Sequence, residues 1–271
     1  MVIAGSALSA CSGCALGHRP APLGWVPWEQ GVIFVADGAG DFRAASQSIR
    51  KAVGEAGLPI RVDPFIWSHG FCRIFRDELH YTYARWQGQR LAAEIMAFRQ
   101  AHPGERVHVV GHSAGAVVVL AAAESLPPLS LDSMALLAPS LSANYDLRPA
   151  LKSVRGHLDV YYSCMDWVYL GVGTQILGTP DRGRVPSSGR IGFTAVPACP
   201  EDAWLLGKLR QHAWEHHDVT VGNHGGHYGA YQQGYLRTLV LPRLLEGPPA
   251  GVTVVPGEVI PELPPPRLLP K

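Results

Sequence analysis

The stretch Arg106–Leu120 (RVHVVGHSAGAVVVL) constrains the fold more than any other part of this 271-residue chain. Its first half is apolar and β-branched, the pattern of a buried strand. From Ala114 to Glu124 the residues are small and apolar almost without a break, which suits a helix packed tightly on a sheet. Between the two lies Gly111-His112-Ser113-Ala114-Gly115, a G-x-S-x-G pentapeptide. At so sharp a strand-to-helix turn the serine is forced into a strained backbone conformation and its hydroxyl stands clear of the sheet edge. Flanking glycines avoid collisions of Cβ atoms with the neighbouring elements. The new helix also offers unpaired N–H groups where an oxyanion would form. Such a pentapeptide arises by accident about 0.2 times in a chain of this composition, so its weight comes from the strand before it and the helix after it. The bland alternative is a tight turn whose serine merely caps a helix.

Strand-like and helix-like segments alternate along the rest of the chain. Gly31–Ala36 is a compact apolar run, as in a central parallel strand, and Phe42–Ala56 has helical spacing. Ile60–Ser68 reads as a strand interrupted at Pro64, and His69–Gln87 as a less regular aromatic segment. That segment is either a lid or pocket wall, or ordinary packing against a helix over Ala84–Gln100. Leu131–Ala138, Leu158–Ser163 and, last, Arg190–Val196 are the further strands; Tyr145–Val154, Glu201–Glu215 and Tyr228–Leu245 are the further helices. This order predicts an α/β fold, a three-layer αβα sandwich around a mostly parallel, doubly wound sheet.

At the pentapeptide and in this element order, from about Gly31 to Leu245, the chain resembles the α/β-hydrolase superfamily. The resemblance implies an eight-stranded sheet and a nucleophile followed in chain order by an acid and a histidine. It makes Ser113 the nucleophile, and it places half of the oxyanion hole in the loop Asp37-Gly38-Ala39-Gly40-Asp41, with the N–H of Ala39 or a neighbour joining that of Ala114. A phosphate loop is the alternative there, but G-x-x-x-x-G-K-[ST] is absent.

A serine hydroxyl needs a base to take its proton and an acid to orient that base. Asp166 is the candidate acid, because it lies just past the strand Leu158–Ser163. Asp159 is inside that strand, and Asp146 and Asp181 follow no strand end. His227, in Gly222-Asn223-His224-Gly225-Gly226-His227-Tyr228-Gly229, is the candidate base, at the opening of the last helix, with His224 as the alternative. The base lies far beyond Arg190–Val196, which requires either an insertion or a short strand at Asp218–Gly222. His112 belongs to the turn and reads as packing. A metal site among His212, His216, His217, Asp218, His224 and His227 is the competing reading, but no H-E-x-x-H accompanies it and no metal is assigned.

The ends are set apart from a domain at 25–246. Residues 1–24 read as a leader and tether, in which Leu8-Ser9-Ala10-Cys11 resembles the lipobox of bacterial lipoproteins, with Cys11 the candidate lipidation site. No Lys or Arg precedes the apolar segment, and a frayed terminus is the alternative. The resemblance therefore leaves the cell envelope and the cytoplasm both open. Residues 247–271 are Pro-rich and lack periodicity, as in a disordered tail. Five scattered cysteines do not form a disulfide framework, and Cys11/Cys14 has no second pair to complete a zinc site. A net charge of +1 gives no electrostatic case for nucleic acid or an anionic membrane surface. No apolar run reaches the roughly 18 residues that span a bilayer.

The expected function is cofactor-free serine hydrolysis of a carboxylic ester or related acyl bond, on a small-molecule or lipid substrate, through a Ser-Asp-His triad and an acyl-enzyme. A non-catalytic, envelope-anchored binding protein on the same fold is the alternative, as is an acyltransferase or thioesterase using the same triad.

Overall fold

The computed structural model describes residues 31–166 and 186–247. The 1–24 leader with Cys11, Asp181 and the tail beyond residue 247 lie outside them. Six strands form one parallel sheet: β1 (Gly31–Ala36), β2 (Arg61–Pro64), β3 (Arg106–His112), β4 (Ser133–Leu137), β5 (Leu158–Tyr162) and β6 (Leu209–Ala213). Their order across the sheet is β2-β1-β3-β4-β5-β6. Six strands are seen among the described residues where the resemblance implied eight.

Pleating sends alternate residues to opposite faces. Val32 and Phe34 join one buried cluster with helices α3 (Tyr81–Ala101), α4 (Gly115–Ser125) and α5 (Arg148–Ser153). Ile33 and Val35 join the other, with α1 (Ala44–Ala56) and the C-terminal helix. Three layers result, as the alternating pattern requires. Helix α4 is buried along Gly115–Ala123, which explains why its sequence has no polar stripe. It passes so near α3 that a Cβ on Gly88 would stand 2.6 Å from the Val118 carbonyl oxygen.

Several expected elements differ. Arg190–Val196 is not a strand: Ser188–Ile191 is a short helix, started by the Ser187 hydroxyl accepting from the Gly189 N–H and ended at Gly192. Beyond it, the Gln211 carboxamide takes both backbone positions of Phe193, accepting from its N–H at 2.6 Å and donating to its carbonyl at 2.9 Å, in place of a neighbouring strand. The last strand is β6, inside Glu201–Glu215, whose helix is confined to Pro200–Leu206. As an edge strand with mostly solvent-facing residues, β6 carries no apolar run to betray it. His216–Val221 is a 3-10 turn, so there is no strand at Asp218–Gly222. The C-terminal helix begins at Gln233, not Tyr228, and runs through Gln233–Tyr235, a π turn Leu236–Val240 and Leu241–Leu244. The aromatic segment is also more regular than expected, with α2 (Ile74–Leu79) leading into α3. Phe71 and Phe75 in it are each 70% exposed, so packing against α3 does not account for them.

β6 is fastened to β5 through Asp159. This fully buried carboxylate lies 2.6 Å from His212 Nε2 on β6 and 3.1 Å from His157 Nε2, which is also 2.8 Å from the Arg243 carbonyl. Burial pushes the Asp159 carboxyl up, but its contacts with His157 and His212 outweigh that and hold it below the usual carboxylate value. A depressed folded-state value adds stability above the unfolded value, about pH 4, and loses it as the pH falls through the folded value. Asp159→Ala, which strands the buried His157 imidazole and the half-buried His212 imidazole, is expected to cost about 3–5 kcal/mol at neutral pH. Denaturant titrations of both proteins, repeated at falling pH, should show the difference shrinking; a pH-independent gap contradicts this account.

Candidate active site

Chain order and sheet order part company between β1 and β3. From β1 the chain goes out to β2, then crosses back to form β3 on the other side. The loops leaving the carboxyl ends of β1 and β3 therefore diverge and open a crevice, the usual ligand position in open α/β sheets. Both glycine-bearing loops singled out in the sequence end there.

Ser113 follows the last residue of β3 with φ +52°, a left-handed conformation that costs a non-glycine residue on the order of 1–3 kcal/mol. The turn is pinned by the Ser113 N–H donating to Leu137 O at 3.0 Å and the Ser140 N–H donating to Ser113 O at 3.1 Å. A Cβ on Gly115 would stand 2.2 Å from the Ala36 carbonyl oxygen, and one on Gly111 would stand 2.5 Å from Val119 Cγ2. The pattern requires glycine at both places because β1 and α4 close in on the turn.

The structure brings Ser113, His227 and Asp166 together. His227 Nε2 lies 3.0 Å from Ser113 Oγ, and His227 Nδ1 lies 2.6 Å from Asp166 Oδ2. All three residues are buried, at 5%, 7% and 2% exposure. An ionised carboxylate only accepts hydrogen bonds, so Nδ1 carries the ring proton and Nε2 is left to accept from the hydroxyl. Asp166 stands four residues beyond β5, in a turn whose Met165 N–H donates to Ser163 Oγ. His227 sits in a loop after β6, which removes the insertion its sequence distance had demanded. That loop is fixed by the Trp214 indole donating to Asn223 O at 2.8 Å and by the Gly225 N–H donating to Asn223 Oδ1 at 2.9 Å. His224 is exposed and makes no hydrogen bond to Ser113 among the described residues.

His112 packs beneath the base, its Nε2 3.3 Å from the His227 carbonyl and the two ring centres 4.9 Å apart. Burial, helped by the neighbouring His227, pushes its value down to about 3, so it stays neutral and donates to that carbonyl. The N–H groups of Ala39 and Ala114 donate to no protein acceptor among the described residues. Gly38 abuts the turn closely enough that its Cβ would lie 3.3 Å from Ser113 Cβ. Opposite, the half-buried Glu78 of α2 accepts from Ser140 Oγ at 3.2 Å. Burial of its carboxyl end, against the opposing pull of Ser140 and His227, raises its value. Nothing in the pattern Arg76-Asp77-Glu78-Leu79 marks Glu78 as a neighbour of the site; only the fold does. Among the described residues no three His, Cys, Asp or Glu side chains gather as a metal site would require, and no helix is long and apolar enough to cross a membrane.

Residues 69–163 match the family model of the alpha/beta hydrolase fold, a span that includes β3, the serine turn and α4. With the parallel sheet and its flanking helices, that match shows the α/β-hydrolase fold. No curated protein matches it significantly. Among solved structures, the chain resembles the catalytic core of acetyl xylan esterase from Trichoderma reesei, at 12% identity and TM-score 0.45, over 79% of this chain and 97% of that one. It also resembles a cutinase-like protein from Cryptococcus sp. at 13% identity and TM-score 0.40, over 81% and 96% of the two chains. A third likeness is to a putative α/β-superfamily hydrolase from Xanthomonas campestris pv. campestris, at 17% identity and TM-score 0.42, over 76% and 94%. At these values the likenesses bear on neither substrate nor site.

Proposed function

We propose that the protein is a serine hydrolase that cleaves a carboxylic ester or related acyl bond through an acyl-enzyme. The observation that carries this reading is the chain of contacts from Asp166 through His227 to Ser113, at 2.6 and 3.0 Å. Ser113 Oγ attacks the carbonyl while His227 Nε2 takes its proton. Asp166 keeps Nδ1 protonated and stabilises the imidazolium, and the N–H groups of Ala39 and Ala114 receive the oxyanion. His227 then returns the proton to the leaving alcohol, and water repeats the sequence on the acyl-enzyme. The residues described here supply every proton transfer in this scheme. An acyltransferase would differ only in the acceptor, with an alcohol replacing water at the same intermediate.

The test is covalent labelling with a fluorophosphonate probe, followed by peptide mass spectrometry. The expected result is one adduct, on Ser113. An unlabelled, folded protein would favour a binding role on an inactive hydrolase fold.

A further inference from the structure

We propose that Asp77 is a positioning residue for this reaction, locking Gly40 so that the Ala39 N–H faces the oxyanion. The inference rests on the reading of Ser113 as nucleophile and concerns how the other wall of its site is held.

Asp77 lies on α2, 37 residues from Gly40 along the chain, and is 2% exposed. Oδ2 accepts from the Gly40 N–H at 2.8 Å and the Ser68 hydroxyl at 2.5 Å; Oδ1 accepts from the His69 N–H at 2.9 Å and from His69 Nδ1 at 2.8 Å. Only an ionised carboxylate accepts from four donors at once. Burial pushes Asp77 up, but these four bonds outweigh it and hold the carboxyl below its ordinary value, so the group stays charged at neutral pH.

The other contacts of the loop show what this clamp achieves. Gly40 O accepts from the Cys72 N–H at 3.0 Å, so the segment 68–77 grips Gly40 at both its N–H and its carbonyl. On the near side, Asp37 O accepts from the Trp67 indole at 2.8 Å, and Asp37 Oδ1 accepts from the N–H groups of Ala45 and Ser46 at 2.8 and 3.0 Å. Asp37 and Gly40 are thus both tied down. Gly38 and Ala39 are suspended between them, with Gly38 against Ser113 and His112. A donor fixed before the charge develops lowers the barrier without reorganisation, whereas one that must be brought into place does not. Asp77 meets neither the serine nor the histidine; it acts through the backbone of Gly40.

The experiment compares wild type with Asp77→Ala and Asp77→Asn, using p-nitrophenyl butyrate as substrate and phenylboronic acid as a tetrahedral-adduct inhibitor. Thermal unfolding shows which variants are folded. In Asp77→Ala, kcat should fall about 10²-fold, the effect of a displacement near 1 Å, while KM changes little and boronate affinity falls in step with kcat. Asp77→Asn keeps the shape and covers the case in which the alanine variant does not fold. Its NH2 must face the N–H of either Gly40 or His69, and kcat should fall at least about tenfold. Wild-type kcat in a folded variant, or a raised KM with kcat and boronate affinity intact, overturns the proposal. A wild type that neither turns over nor labels at Ser113 instead overturns the nucleophile reading on which it rests.

Discussion

Ser113→Ala should lower kcat by about 10⁶-fold on any ester the wild type cleaves, with KM nearly unchanged. The substitution removes one oxygen from a 5%-exposed site and leaves the carbonyl pocket, the donors and the imidazole in place. It also cannot disturb the turn by a clash, because alanine is smaller. Positive φ at this position is already tolerated, and the Ser113 N–H and carbonyl are held by Leu137 and Ser140, not through the side chain. The folded state should survive, with a thermal midpoint close to that of the wild type. Steady-state kinetics on purified protein makes the check. A variant retaining more than about 10⁻³ of wild-type kcat means that another group performs the attack.

Asp166→Asn should cost about 10⁴-fold in kcat. The carboxylate accepts from His227 Nδ1 at 2.6 Å, and that single bond fixes the tautomer which leaves Nε2 free to take the serine proton. An amide at the same place can turn its NH2 toward Nδ1, which reverses the tautomer and puts a hydrogen on Nε2. It also withdraws the negative charge that stabilises the imidazolium. Asn is nearly isosteric with Asp, so substrate binding should be retained and the loss confined to kcat. A loss below tenfold would mean that Asp166 does not orient the base.

How much of this could be read from the sequence depended on how local the physics is. The serine turn was legible because its constraint is local: a strained serine between two crowded glycines has few sequence solutions. The apolar runs of β1, β3, β4 and β5 were legible because strands buried on both faces need apolar residues throughout. β6 was not, since Leu209–Ala213 lies at the sheet edge and shows its side chains to water. That mistake displaced the last strand and made His227 look remote from the sheet. The correct strand brings the histidine loop back to the carboxyl edge. Asp166 is singled out in the sequence by its place after β5, yet its contact with His227 spans 61 residues, and no spacing rule reaches that far. Asp77 and Glu78 went unseen for the same reason. Each is one charged residue in a short helix, and its partners, Gly40 for one and Ser140 for the other, are assembled only by the crossing of α2 over the site.

The central claim is a covalent one, that the acyl group passes through Ser113. The most direct measurement is mass spectrometry of wild-type protein acid-quenched during turnover of an activated ester. The account predicts a population heavier by one acyl group, with the added mass on the Ser113 peptide and absent from Ser113→Ala. Turnover without any such adduct, or with the acyl group on a different residue, would contradict it.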